Sequence, residues 1–451
     1  MAEMETWMLR LVPVIFSAAT LLAIVFLSRA LPPGGGICMA LLLAASPAFT
    51  FYSRYFIQES LLVFFTFTAI LFGWRYTERN STLNAIGLVV SLALMHATKE
   101  TAALALVAMV FALVTTLAWR FGPRGAVECA RAHTHPRQIL IALGVAILVS
   151  IAMFSAFGTN LRGPLDSVLT YGNYFKRAGG AGLHDKPWYY YLALLWHTHR
   201  GPGPTWSEAV ILILGCTGAA LALWRLPRVP LARGERGDPW FLRFLALYTI
   251  ALMAMYCAVP YKTPWSLLSF YFGVVTLAGV AAARGIALAP GGWRRGAIIA
   301  AFAIALAHLG VQSYRSETEY AADVRNPWIY AHTSTNLVEL AQRVDELAAI
   351  HPAGDDLTIK IIQPDNDYWP LPWYLRRYST VGYWNAIPDD PEADLIISSP
   401  RIGEDLRARL KGAYFGPAMY SLRPSVLREL YVRKDLWDAF MAARQAPAPG
   451  V

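Results

Sequence analysis

The sequence predicts a mainly α, polytopic helical membrane protein of about ten spans, followed by a small α/β extracytoplasmic domain. Three observations predict it. Only 15% of the 451 residues are charged and 56% are hydrophobic, whereas soluble domains carry about 25% charged residues. Apolar runs of near-membrane length recur through the first two thirds of the chain. The charge is also divided: residues 1–312 hold 24 basic and 11 acidic residues, and residues 313–451 hold 15 and 19. The overall +9 therefore sits in the apolar part, which points to a membrane and excludes nucleic acid as the partner.

A hydrocarbon core takes about 20 apolar residues. Ten spans follow in order, over 9–28, 36–52, 59–74, 84–97, 101–119, 139–157, 208–224, 241–259, 266–283 and 296–312. The second to fourth are short. No signal peptide is evident, since MAEMETWMLR has acidic residues and no basic leader segment. One alternating set of loops carries 15 basic residues: Arg29, Arg75, Arg79, Arg120, Arg124, Arg131, Arg137, Arg225, Arg228, Arg233, Arg236, Arg243, Arg284, Arg294 and Arg295. Against them stand Glu78, Glu128, Glu235 and Asp238. The positive-inside bias makes these loops cytoplasmic. The N-terminus, the loop 158–207 and the C-terminal domain are then external, on a multi-pass protein of the inner (plasma) membrane. Cys38, Cys216 and Cys257 fall in apolar runs and Cys129 in an Arg-rich loop, so no disulfide framework or Cys-based zinc site is expected.

The external turns collect ionisable residues. Arg54 and Glu59 lie in SRYFIQES, Lys99 and Glu100 in HATKETA, and Lys262 in YKTPW. Interfacial snorkelling and local ion pairs account for any one of them; five at alternate turns on the less basic face point to a site. The loop 158–207 carries Trp188, Tyr189, Tyr190, Tyr191 and Trp196, which suit an interfacial helix or a lid with His184, Asp185 and Lys186 at its mouth. His197 and His199 are weak metal-ligand candidates.

Residues 313–451 read as a separate domain. Leu337, Leu340, Ala341, Val344, Leu347 and Ala348 recur at helical spacing, with Asn336 and Glu339 placed as a cap. TIKIIQ (358–363) and LIISS (395–399) read as short buried strands. Trp369, Trp373 and Tyr374 suit either a sugar-stacking surface or the core, and the tail APAPGV reads as disordered. There is no Walker or Rossmann phosphate loop.

SPAFTFYSRYFIQESLLVFF, HATKETAALAL, HDKPWYYYLALL, YKTPWSLL and WPLPWYLRRY, in this order and spacing, resemble a known group. These are the bacterial and archaeal membrane proteins related to protein O-mannosyltransferases, in particular the flippase-activity-associated glycosyltransferase-like proteins of the GT-C class. The resemblance implies a membrane glycosyltransferase that moves a sugar from a polyprenyl-phosphate-linked donor to a lipid, glycan or protein acceptor at the external membrane face. It implies Glu59, the second acidic position, and Glu100, in the Lys-Glu motif with Lys99, as catalytic residues, with Glu59 positioning the acceptor or a divalent metal. Arg54, Lys99 and Lys262 would hold the lipid phosphate, with Lys262 preceding Pro264 and Trp265. His184, Asp185, Trp188 and Trp373 would line the substrate region. The group also has a first span and a first acidic external loop; METWMLRLVPVIFSAAT looks like the end of that loop and the second span, so the first span and its acid are expected to be missing from these 451 residues. Glu3 and Glu5 are poor substitutes for that acid. A non-enzymatic accessory that flips or presents lipid-linked sugars is the competing expectation. A transporter fits less well, because the ionisable residues gather at one face and not at mid-membrane.

Overall fold

The computed structural model describes residues 5–178, 184–224, 237–289 and 291–445. Arg225, Arg228, Arg233, Glu235 and Arg236, Glu3, and the expected disordered tail lie outside the described residues. The chain divides into two compact units, residues 1–321 with 325–328, and residues 322–324 with 329–451.

The first unit is helical. It comprises α1 (Thr6–Leu27), α2 (Gly35–Ala45), α3 (Pro47–Ser53), α4 (Glu59–Glu78), α5 (Thr82–Thr98), α6 (Ala102–Ala132), α7 (Pro136–Phe154), α8 (Gly163–Ala178) and α9 (Tyr190–Trp196). A two-residue hairpin, β1 (Thr198–His199) with β2 (Thr205–Trp206), leads to α10 (Ala209–Trp224), α11 (Pro239–Ala258), α12 (Leu268–Leu288) and α13 (Trp293–Glu317). Among the described residues seven helices are long and apolar enough to cross a membrane, or eight counting one bent pair; α5 and α10 are apolar but shorter.

The bent pair is the expected second span. It breaks by 65° between α2 and α3, where Ser46 caps α3 and Pro47 occupies its first position. Proline removes a helical donor and clashes with the preceding turn, so the helix cannot run straight through. The Arg-rich segment after 119 is not a loop. α6 continues to Ala132 across a kink at Gly122, whose φ of +72° the following Pro123 turns into a second helix start. Cys129 is therefore helical, and all four cysteines are free.

Packing sorts the helices. In the hydrophobic window of α12, 94% of residues are buried, against 6% in α7. α12 is thus the central helix of this unit and α7 faces outward. Close approach to α12 depends on small residues, as membrane helices require. A Cβ on Gly218 of α10 would overlap the Leu277 carbonyl, and one on Gly273 would overlap Thr249 of α11.

Among the described residues the 158–207 stretch holds two helices and a hairpin. α9 starts only at Tyr190, buries Tyr191, Leu194 and Leu195, and leaves Trp188, Tyr189 and Trp196 exposed. Three of its seven residues pack inward, so α9 is wedged into the unit.

The second unit begins later than residue 313, because α13 runs on to Glu317. It contains α14 (Thr335–Ile350), β3 (Ile359–Ile362), α15 (Leu371–Tyr374), β4 (Val381–Trp384), β5 (Leu395–Ser398), α16 (Gly403–Arg409), β6 (Tyr414–Arg423), β7 (Val426–Arg433) and α17 (Lys434–Gln445). The five strands form one sheet in the order β4-β3-β5-β7-β6. β3 pairs in parallel with β4 and β5; β7 is antiparallel to β5 and β6. Leu337, Leu340, Val344 and Leu347 of α14 meet Ile359, Ile361, Leu395 and Ile397 on one face, with Leu436 and Phe440 of α17. Ile362, Ile396 and Tyr431 meet Leu406 of α16 on the other. The two expected strands and the expected helix are present. The cap is not at Asn336: Ser334 holds that position, and Asn336 instead donates to Glu339 at 2.9 Å.

Candidate functional site

The site is built on the hairpin of α4 and α5. The short turn between them brings the N-terminus of α4 and the C-terminus of α5 to the same end. Glu59 stands in the first turn of α4 and Lys99 at the C-cap of α5. Each charge therefore sits at the helix end whose dipole favours it. Lys99 Nζ donates to Glu59 Oε1. Glu59 is 1% exposed, and its Oε2 is buried without a partner. Burial works against the Lys99 ammonium, but the Glu59 carboxylate, Tyr256 and Glu100 outweigh it and hold its pKa above the ordinary lysine value. Glu100 occupies the next position, and its charge reaches His96 and Tyr171, whose rings stack at 5.8 Å.

Arg54 follows α3 and pairs with Glu317 at the end of α13. Just before it, Tyr52 is buried and donates to the Trp328 carbonyl at 2.7 Å, with its ring 6.3 Å from Trp265. The Ser60 hydroxyl donates back to the Tyr52 carbonyl at 3.4 Å. These bonds fix the end of α3 over the start of α4.

HDKPW and YKTPW pair with each other. Lys262 N donates to the His184 carbonyl and Lys186 N to the Pro260 carbonyl, both at 3.0 Å. Asp185 and Tyr261 form the bridge between them, and the His184 and Tyr261 rings lie 4.8 Å apart. Lys262 is 1% exposed. Its ammonium is turned inward onto the Val259 carbonyl and the Lys186 carbonyl, the latter at 3.3 Å. Burial pulls its pKa below the ordinary lysine value, against Cys257 and Asp185. In this conformation Lys262 stitches the two loops together and does not face an open phosphate position. Trp188 is 64% exposed beside the pair. Trp373 lies in the second unit under the guanidinium of Arg376, 4.3 Å from its ring centre.

Among the described residues no group of three or more His, Cys, Asp and Glu side chains stands close enough to hold a metal ion. One Glu59 oxygen is engaged by Lys99. The donors around Glu59 therefore do not by themselves complete a metal site.

Sequence reasoning missed Glu208. It precedes α10, is 1% exposed, and accepts bonds from Ser46 Oγ at 2.5 Å, Ala48 N at 2.8 Å and Tyr271 Oη at 2.9 Å. A broken span leaves helix-end N–H groups unsatisfied where water is scarce; Glu208 satisfies one of them at the break. The signal was a Ser-Pro break inside an apolar run together with a glutamate heading another. Beside the same break a cavity of about 260 Å³ is lined by α1, α2, α3, α4 and α12 residues. Its walls are mostly apolar, and Ser53 and Ser60 bring it next to Arg54 and Glu59.

Residues 1–124 match the family described as dolichyl-phosphate-mannose-protein mannosyltransferase. No curated protein sequence matches the chain. Among solved structures, the chain is similar to ArnT from Cupriavidus metallidurans bound to undecaprenyl phosphate. The TM-score is 0.58 at 12% identity, covering 96% of this chain and 84% of that one. The apo form of the same protein matches with a TM-score of 0.54 at 12% identity, covering 97% and 84%. The fold is ArnT-like and of GT-C type. The family match over the N-terminal helices and the likeness over the whole chain agree on a GT-C-type fold; neither bears on the narrower flippase-associated group or on the expected absence of a first span.

Proposed function

We propose that this protein is a membrane glycosyltransferase that takes a sugar from a polyprenyl-phosphate-linked donor. The observation that carries the reading is the buried Lys99–Glu59 pair at one end of the α4–α5 hairpin, on a fold similar to that of a protein solved with undecaprenyl phosphate. In this reading an acceptor hydroxyl attacks the anomeric carbon as the bond to the lipid phosphate oxygen breaks. The phosphate leaves with the electron pair, and the hydroxyl proton passes to a carboxylate. Lys99 would offset the charge that develops on the leaving phosphate, since fixed cations act strongly where water is excluded. Glu59, buried in the structure, would take the acceptor proton once Lys99 turns to the phosphate and uncovers its carboxylate. Arg54, mostly exposed, would meet the phosphate from the outer side. His184, Asp185 and Trp188 would frame the sugar, and Lys262 would hold that frame by bonding its loops. The apolar cavity beside Ser53 and Ser60 suits a lipid chain. We further propose that this end of the bundle and the second unit are extracytoplasmic, as the arginine bias of the opposite loops requires, and that the acceptor is a lipid, glycan or protein.

A second reading has one observation in its favour: Glu59 is already neutralised by Lys99, which suits an accessory that binds lipid-linked sugar without transferring it. The two are separated in proteoliposomes with undecaprenyl-phosphate-[14C]mannose and a membrane-extract acceptor. Transfer that is lost in Glu59→Gln and Lys99→Ala supports the enzyme. Donor binding without release of undecaprenyl phosphate, unchanged in Glu59→Gln, refutes it.

A further inference from the structure

The second unit carries an arrangement that the transferase reading does not use. In its parallel half the chain leaves β3 for β4 on one side, while β5 lies on the other side of β3. The strand order therefore reverses between β3 and β5. In open α/β sheets the crevice outside the carboxyl ends of the strands at such a reversal is where ligands bind.

Unusual polar groups stand at that edge. Gln363 directly follows β3 and is fully buried; its amide donates to the Ile397 carbonyl at 3.4 Å, but its Oε1 has no partner. Arg428, on β7, is 5% exposed, and its Nε has no partner. A buried donor or acceptor left unpaired forfeits its bonds to water, so such groups call for an occupant. Arg428 also bonds the Asp367 backbone carbonyl and stands 3.5 Å from its carboxylate. Arg423 pairs with the same carboxylate and donates to the Trp369 carbonyl at 2.8 Å. Two guanidinium groups thus share one aspartate. Beside these two guanidinium groups, Trp369 is 62% exposed, although the domain has a core that takes up the neighbouring Leu371 and Leu375.

We propose that Gln363 and Trp369, with Arg423 and Arg428, form a binding site for an acidic saccharide unit: a pyranose carrying a carboxylate or a phosphate ester. The Trp369 indole offers a flat apolar face to the C–H face of a pyranose. Arg423 and Arg428 supply donors for an anionic oxygen, and Gln363 Oε1 accepts from a sugar hydroxyl. The shared requirement is a sugar ring and a negative group on one ligand. A bare anion cannot use Trp369, and a neutral sugar cannot pair with the two guanidinium groups. The site belongs to the second unit alone and stands or falls independently of the transfer chemistry.

The test is equilibrium binding to the full chain in phosphatidylcholine nanodiscs, by calorimetry and saturation-transfer NMR. The probes are D-glucuronate, glucose 6-phosphate, glucose and inorganic phosphate. Saturable binding of glucuronate or glucose 6-phosphate, about tenfold or more tighter than glucose or phosphate, is expected, because a bond to a charged group is worth about one decade or more. Whichever of the two binds identifies the anionic group. W369A and R423A should each weaken that binding about tenfold while leaving the far-UV circular dichroism and thermal midpoint unchanged. Equal binding of glucose, equal binding of inorganic phosphate, unaltered binding in both folded variants, or no saturable binding overturns the proposal. Because no transfer is measured, an inactive preparation does not affect the outcome.

Discussion

Replacing Lys99 by Met isolates the energetic role of the ion pair at the centre of the candidate site. Glu59 is 1% exposed, its Oε1 is held by Lys99, and its Oε2 has no partner. Lys99→Met therefore leaves a buried carboxylate with neither oxygen compensated, which costs about 3–5 kcal/mol. Glu59→Gln should cost less, about 1–3 kcal/mol, because the Lys99 stem is long enough to carry its ammonium toward water. The double variant removes both charges, and the attraction within a buried pair roughly cancels the cost of desolvating it. It should return to within about 2 kcal/mol of the parent. The four proteins form a double-mutant cycle with an expected coupling of at least about 2 kcal/mol. The measurement is SDS-driven unfolding in mixed micelles, followed by tryptophan fluorescence. Additivity within about 0.5 kcal/mol would refute the argument, because it would mean that Glu59 has another partner or is not buried as a charge.

Three further outcomes are expected. Glu208→Leu strips partners from Ser46, Ala48 and Tyr271, so unfolding should ease by about 3 kcal/mol or more. Glu208→Gln, which keeps an acceptor for Ala48 N, should lose less, and hydrogen exchange over 46–53 should rank the two in that order. Gly218→Val should abolish a folded bundle because its Cβ meets the Leu277 carbonyl, whereas Gly144→Val on outward-facing α7, with nothing within 4 Å, should leave the detergent melting point unchanged. In the second unit, burial opposes the Asp394 carboxylate. The Thr358 N–H at 2.7 Å, the Thr358 hydroxyl at 2.8 Å, Arg433 and His351 outweigh that effect and hold its pKa below the usual aspartate value. A depressed carboxylate adds stability above its unfolded value of about 3.9 and loses it as pH falls through the folded value. Protection of the β5 and β7 amides should therefore fall below about pH 4. Asp394→Asn should remove that acid-side decline and lower protection near neutrality.

The elements that the sequence revealed are those with a one-dimensional cause. A run of apolar residues forms a helix wherever it must satisfy its own backbone in lipid, so α4, α11 and α12 fall where the hydropathy places them. The β-branched TIKII and LIIS become buried parallel strands for the same reason of composition. Glu59 and Lys99 were legible as a pair of sites because the turn between α4 and α5 is short, so two charges at helix ends had to arrive on one face. β6 and β7 were not legible. Their hydrophobic pattern is interrupted by Arg423, Arg428 and Glu429, which are buried or half-buried through partners distant in sequence, such as Asp367.

Glu208 and Lys262 show the same limit at the candidate site. As single letters, each is a charge at the edge of an apolar run, and the same reasoning assigns both to the interface. The fold separates them by what the neighbouring backbone lacks. At α3 a broken span exposes helix N–H groups, which need an acceptor, and Glu208 turns inward to supply one. At the end of α11 the chain leaves carbonyls without helical partners, which need a donor, and Lys262 turns inward to the Val259 carbonyl. A charged residue beside a break in a span is thus drawn to the break whenever its sign matches the orphaned groups. Glu59 and Lys99 find each other instead, because the N-terminus of α4 and the C-terminus of α5 present opposite charges at the same level. That difference is the physical reason why the proposed function places its chemistry at Glu59 and Lys99, while Glu208 and Lys262 hold helices and loops.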